Sequence, residues 1–156
     1  MGHIRYASDV GAPVEVAFTY TDNHLFVPDW MFGVAEFEPS GDTDRGLGAR
    51  FRADARLILL RTTLSCEITE YRRNVVIGYT LRGRLSGTLT LRFDPLGYGR
   101  SVLTSEVDYD PPRGLAGRML ARPLESGVRS ALRRTESRLR REIEQFHGTD
   151  LVGRIA

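Results

Sequence analysis

The chain has 156 residues and a formal net charge of +2, and all 22 of its basic residues are arginine. So small a net charge gives no reason to expect a polyanionic partner, and the lack of lysine excludes Schiff-base catalysis through an amine. A lone cysteine, Cys66, excludes an internal disulfide.

His3 to Ser8 alternates with Ile4 and Tyr6 on one side, which predicts a first strand. Gly11, Ala12 and Pro13 break it, and Pro13 suits the start of a helix, where a missing N–H costs nothing. Val14, Ala17, Phe18 and Leu25 give that helix an apolar face. Asp22 and Asn23 end it, and a second short helical turn is expected around His24 to Phe26, before Pro28. Trp30 and Phe32 lead into a second strand with Val34 and Phe37, which Gly41, Asp42 and Gly46 terminate.

From Leu47 the alternation is clear. Ala49, Phe51, Ala53, Ala55 and Leu57 face one way and Arg50, Arg52, Asp54 and Arg56 the other, as in a half-buried antiparallel strand. Thr62 to Tyr71 is the next strand, with Leu64, Cys66 and Ile68 inward. The link from Leu57 to Thr62 carries no turn signature. Arg72, Arg73 and Asn74 form a turn, Asn74 tolerating a left-handed backbone. Val75, Ile77, Tyr79 and Leu81 form the next inner set, and Gly83 and Arg84 turn the chain. Leu85, Gly87, Leu89, Leu91 and Phe93 follow, Pro95 to Gly99 make a hairpin, and Leu103, Ser105, Val107 and Tyr109 finish the sheet.

After Pro112 the period changes from two to about 3.6. Leu115, Met119 and Leu120 precede Pro123. Leu124, Val128, Leu132, Thr135, Leu139, Ile143 and Phe146 then make a continuous apolar stripe, which His147 and Gly148 are expected to close. A helix with an early start and a kink at Pro123 is predicted. The expected organisation is a single domain over residues 1–148 and a frayed tail over residues 149–156.

The longest apolar runs, Leu57 to Leu60 and Val75 to Ile77, fall far short of the roughly 20 residues of a membrane span, so no integral membrane association is expected. The first residues, including His3 and Arg5, lack a signal peptide's apolar stretch, and the chain reads as cytoplasmic.

The order of a strand, two short helices, a run of antiparallel strands and a long terminal helix resembles the START-related and birch-pollen-allergen superfamily. The likeness is to its bacterial branch of polyketide cyclase/dehydrase and lipid-transport proteins. It is carried by Pro13-Val14-Glu15-Val16-Ala17-Phe18, Trp30, Gly46 to Phe51, Glu67 to Tyr71, the hairpin from Phe93-Asp94-Pro95 to Gly99, and Tyr109 to Gly114. It implies an α+β helix-grip fold: a seven-stranded curved antiparallel sheet wrapped round the last helix, with a cavity for a hydrophobic or aromatic ligand between them. The branch has no universal catalytic set to transfer.

The inward positions themselves mix large residues with small ones: Ala49, Ala53, Ala55, Gly87 and Ser105 stand where a solid core would carry leucine or isoleucine. A dry void of about 300 Å³ would cost on the order of 7 kcal/mol, so such a space would hold water or a guest. The alternative is that these small residues merely allow the sheet to bend. The predicted lining is Phe51, Leu64, Ile77, Tyr79, Leu89, Phe93, Val107, Met119 and Val128, with Phe26 and Trp30 near an opening.

Tyr79, Tyr109 and Ser105 are the polar candidates for orienting a ligand, against the alternative of core residues satisfied by backbone. Tyr79 and Arg82 are the candidate catalytic pair, the arginine, or its neighbour Arg84, holding a carboxylate or enolate. His24 is a candidate base at the mouth. Cys66 reads as a small buried apolar residue. The three histidines share no metal-ligand spacing, and neither metal nor cofactor is expected.

Arginines 129, 133, 134, 138, 140 and 141 of the last helix are interleaved with Glu125, Glu136, Glu142 and Glu144. The pairs Glu125–Arg129 and Glu136–Arg140 have favourable four-residue spacing, so a solvated face is expected rather than a nucleic-acid surface. Two functions follow: a binder of a small hydrophobic, aromatic or lipid-like molecule, or a cyclase/aromatase folding a poly-β-ketone chain for aldol closure and dehydration. A third reading makes an exposed surface, such as a homodimer contact, the working part.

Overall fold

The computed structural model describes residues 2–57, 60–84, 86–111 and 114–155. Strand β1 (Gly2–Val10) is followed by helix α1 (Val14–Thr21), a 3-10 turn (His24–Phe26) and helix α2 (Val27–Trp30). Six further strands come next: β2 (Val34–Pro39), β3 (Arg50–Leu57), β4 (Leu60–Arg72), β5 (Val76–Arg82), β6 (Gly87–Gly97) and β7 (Arg100–Tyr109). Helix α3 (Gly114–Ile155) ends the chain. The strands form one antiparallel sheet in the order β1-β7-β6-β5-β4-β3-β2, curved and open, with α3 across it. This is the α+β helix-grip arrangement.

Local chemistry accounts for the joints. Pro13 caps α1 in an extended conformation, and Pro28 sits in the first turn of α2, inside the helix rather than after it. Asn74 takes the left-handed conformation expected of it, with φ of 63°, between β4 and β5. The β6–β7 hairpin turns through Gly97, Tyr98 and Gly99, all at positive φ.

Some boundaries move. Val75 is exposed in the turn, and β5 begins with the buried Val76. A bulge between Ile68 and Glu70 lets Ile68 face Tyr79 and Tyr71 face Ile77 across the β4–β5 pair. Leu57 pairs directly with Leu60, but the two residues between them lie outside the described residues, as do Leu85 and Pro112.

The core is one continuous cluster between the sheet, the short helices and the stretch of α3 from Leu124 to Phe146. Helix α3 packs on β1, β7, α1 and α2, and it is there that Leu132, Leu139 and Ile143 are buried. It runs through Gly148 to Ile155 instead of closing at Gly148, and Pro123 lies inside it. Its first turns stand apart from the core. Leu115 is 81% exposed, Met119 77% and Leu120 52%.

Helix α3 also corrects the expected face of Glu136, which is buried and accepts a hydrogen bond from the Ser8 hydroxyl of β1 rather than pairing in solvent with Arg140. Beside it, the buried Thr135 hydroxyl accepts the Phe32 backbone N–H at 3.0 Å. Arg134 and Arg138 stack over the Phe32 ring at 5.0 and 5.3 Å, Arg133 lies 5.5 Å from the Tyr6 ring, and Arg129 pairs with Glu125 at 3.2 Å.

Candidate ligand-binding interior

Register decides which predicted residues share a face, because directly paired residues in an antiparallel sheet project to the same side. One row runs Ile68–Tyr79–Leu89–Val107–Ile4 across β4, β5, β6, β7 and β1. A second runs Tyr71–Ile77–Leu91–Ser105–Tyr6. Leu64 faces Ala53, and Cys66 lies between Phe51 and Leu81. Ile77, Tyr79, Leu89, Phe93, Ser105, Phe51 and Leu64 are all buried on this inner side, while Val107 and Val128 are half-buried against the cluster.

Aromatic rings dominate one end of this interior. Phe37 stacks on Phe51 with centroids 4.5 Å apart and meets Tyr79 edge-on at 6.4 Å. Phe18 meets Tyr71 and Phe93 edge-on, both at 5.6 Å. Phe26 stacks flat on Tyr20 at 4.7 Å and approaches Phe146 of α3, where it is half-buried. Trp30 does not border an opening. It is fully buried under α3, and its indole N–H has no partner among the described residues.

Two further expectations are corrected. Arg82 is exposed, and strand alternation puts it on the opposite face of β5 from Tyr79, so the two cannot converge on one substrate. Arg84 is exposed as well. Met119 does not line the interior, because it is exposed on the first turns of α3, as are Leu115 and Leu120.

The polar groups are few and incompletely satisfied. Burial first, then Cys66, Asp22 and Tyr71, holds the Tyr79 phenol well above the ordinary value. Burial alone pushes the Cys66 thiol up to about 12. Ser105 Oγ is fully buried without a partner among the described residues. The Tyr109 ring lies over Gly2, where any Cβ would overlap it, and burial raises its phenol.

Sequence reasoning missed one cluster here. Tyr71 donates a hydrogen bond to Asp22 Oδ2 at 2.8 Å, and Arg45 Nε lies 3.4 Å from the same oxygen. Two residues on, His24 Nε2 is 3.5 Å from Asp44 Oδ2, and its ring is 5.7 Å from that of Phe51. The loop between β2 and β3 is thus tied at two neighbouring residues to the turn after α1. In sequence Asp22 reads only as a helix stop and Tyr71 as a strand end. No local pattern links residues 49 apart.

An open groove of about 600 Å³ lies elsewhere, along β2, β3 and β4, between Glu36, Asp54, Arg56 and Arg61. It shares no residue with the predicted lining. Among the described residues no three His, Cys, Asp or Glu side chains gather as a metal site requires, and no helix is long and apolar enough to cross a membrane.

Residues 1–144 match the family model for polyketide cyclase / dehydrase and lipid transport. No curated protein sequence matches the chain. Among solved structures, the chain is similar to the Thermus thermophilus protein TTHA0849, with TM-score 0.78 and 14% identity over 91% of this chain and 97% of that one. A START superfamily protein from Mycobacterium smegmatis aligns with TM-score 0.75 and 15% identity, covering 92% and 97%. The Zhui aromatase/cyclase from a Streptomyces species aligns with TM-score 0.73 and 16% identity, covering 92% and 94%. At such identities these structures establish the shared fold alone.

Proposed function

The chain belongs to the polyketide cyclase / dehydrase and lipid transport family, and on that premise we propose that it binds a small hydrophobic molecule, aromatic or polyketide-like, between the inner sheet face and α3. The observation that carries this reading is the buried polar content of the inner face. A core hydroxyl normally has a protein partner. Ser105 Oγ is fully buried on that face with no partner among the described residues, and Tyr79 is buried one row away beside Phe37, Leu89 and Ile68. A ligand oxygen would supply the missing partner, while the surrounding rings supply apolar contact.

A second reading, a cyclase that folds a poly-β-ketone and assists aldol closure, draws on the likeness to the Streptomyces aromatase/cyclase. It requires at least two polar groups converging on one substrate, and Tyr79 with Arg82 does not meet that requirement. We place the protein in the cytoplasm with no nucleic-acid partner. The arginines 129, 133, 134 and 138 of α3 are already engaged by Glu125, Tyr6 and Phe32.

Native mass spectrometry of protein purified from cells tests the proposal. A retained small molecule, released on unfolding and weakened by Tyr79→Phe, is the expected result. Turnover of a polyketide mimic that Tyr79→Phe reduces would instead favour the cyclase. Absence of any retained molecule, together with no binding of aromatic probes, would end both readings.

A further inference from the structure

We propose that Asp22 is the polar anchor of this interior, its free carboxylate oxygen accepting a hydrogen bond from the hydroxyl of a neutral, hydroxylated aromatic ligand. The proposal deepens the ligand-binding reading and rests on it.

The Asp22 side chain is nine-tenths buried. Both of its protein partners, Tyr71 and Arg45, approach Oδ2. Oδ1 is buried and has no partner among the described residues. A carboxylate offers acceptor sites on both oxygens, and an interior normally satisfies them.

Nothing in the fold requires an acid at this position. Asp22 is the C-cap of α1, where the helix dipole disfavours negative charge, and the capping is done by the backbone, with the Asp22 N–H bonded to the Phe18 carbonyl and the Asn23 N–H to the Tyr20 carbonyl. Asparagine, serine or glycine would serve the cap equally well. The carboxylate therefore bears burial, an adverse dipole and an unmet acceptor together, with the Tyr71 and Arg45 contacts and the more distant charge of Arg73 in return.

The surroundings specify the ligand. Tyr71, which orients Asp22, is itself packed edge-on against Phe18. His24, on the same turn, brings a second buried and unpartnered atom, Nδ1, beside the Phe51 ring that stacks on Phe37. Two unmet polar atoms bordered by aromatic faces suit a flat ring bearing a hydrogen-bond donor. The donor should be neutral. Arg45 already lies 3.4 Å from the carboxylate, so an ammonium group would meet a cation that is already in place.

Titrating the intact protein with 2-naphthol, 2-methoxynaphthalene and the 2-naphthylmethylammonium ion, followed by calorimetry, tests the assignment. Wild type should bind 2-naphthol about tenfold tighter than the methoxy compound, the scale of one hydrogen bond to a charged acceptor. Asp22→Ala should erase that preference and leave the methoxy affinity within about twofold, because the apolar contacts persist. Should Asp22→Ala fail to fold, Tyr71→Phe serves in its place and should lower the preference severalfold by freeing the carboxylate to turn away.

Equal binding of the two neutral probes to wild type, or a preference that survives both substitutions, overturns the role of Asp22 while leaving the interior a ligand site. Tightest binding of the ammonium probe overturns the neutral-donor assignment. If none of the three binds, the ligand-binding reading fails and this proposal with it.

Discussion

Glu144, in the last third of α3, accepts a hydrogen bond from the backbone N–H of Gly11 at 2.8 Å, joining the terminal helix to the turn between β1 and α1. Gly11 leaves just enough room for this, since a Cβ there would lie 3.0 Å from the same carboxylate oxygen. The contact closes the fold between residues 133 apart in sequence. A charge-assisted bond at a partly wet position contributes about 1 kcal/mol. Glu144→Ala should therefore lower Tm by about 2–4 °C in a chain of this size, and Glu144→Gln by less. Identical melting of Glu144→Ala and wild type would show that the contact contributes nothing in solution.

The two halves of α3 should respond differently to truncation. Leu139 is fully buried in the core cluster, and Leu139→Ala removes that packing at a cost of about 2–5 kcal/mol. Met119, exposed on the first turns, should tolerate Met119→Ala within about 0.5 kcal/mol. Urea denaturation of the two variants gives the comparison. A large loss at Met119 would mean that this part of the helix packs on something in solution, contrary to its exposed position here.

That contrast marks how far the sequence could be read. Period-two alternation identified the inner residues of β3 to β7 well, because each strand has one wet face and one dry one. The apolar stripe of α3 was equally visible from Leu115 to Phe146, but a stripe says which side of a helix is apolar, not what it meets. Only contact with β1, β7, α1 and α2 decides that Leu132 is buried while Leu115 is not. The parity that turns Tyr79 inward also turns Arg82 outward, so that error was avoidable from sequence. The Asp22–Tyr71 bond and the buried Glu136 were not avoidable errors of that kind. Both depend on long-range approach of side chains that, in isolation, look like a helix stop and a solvated acid.

Cys66 offers a chemical probe of access to the interior. It is buried between Phe51 and Leu81, and burial pushes its thiol up to about 12. The thiolate is the species that alkylates, so almost none is present at pH 8. Iodoacetamide should leave the native protein unmodified at about pH 8 over hours and label it fully in denaturing urea. Rapid stoichiometric labelling of the native chain would mean that the interior opens widely enough to solvate this strand.

Asp22 carries the clearest pH signature. Burial raises its carboxyl above the ordinary value, outweighing the hydrogen bond from Tyr71 and the charges of Arg45 and Arg73, which act to lower it. The folded chain therefore binds this proton more tightly than the unfolded chain does. The associated stability is present in full below the unfolded carboxyl value of about 4 and is lost as pH rises through the raised folded value. At neutral pH the charged form is a net burden, and Asp22→Asn, which keeps an acceptor for Tyr71, should remove it. The variant should exceed wild type by on the order of 1 kcal/mol at pH 7, the scale of one unmet buried polar group, and the gap should shrink toward zero as pH falls through the carboxylate range. Melting curves of both proteins across that range measure the gap. A gap that stays constant with pH, or a wild type that is the more stable at pH 7, would show that Tyr71 and Arg45 compensate the buried charge fully, and Asp22 would then need no ligand to balance it.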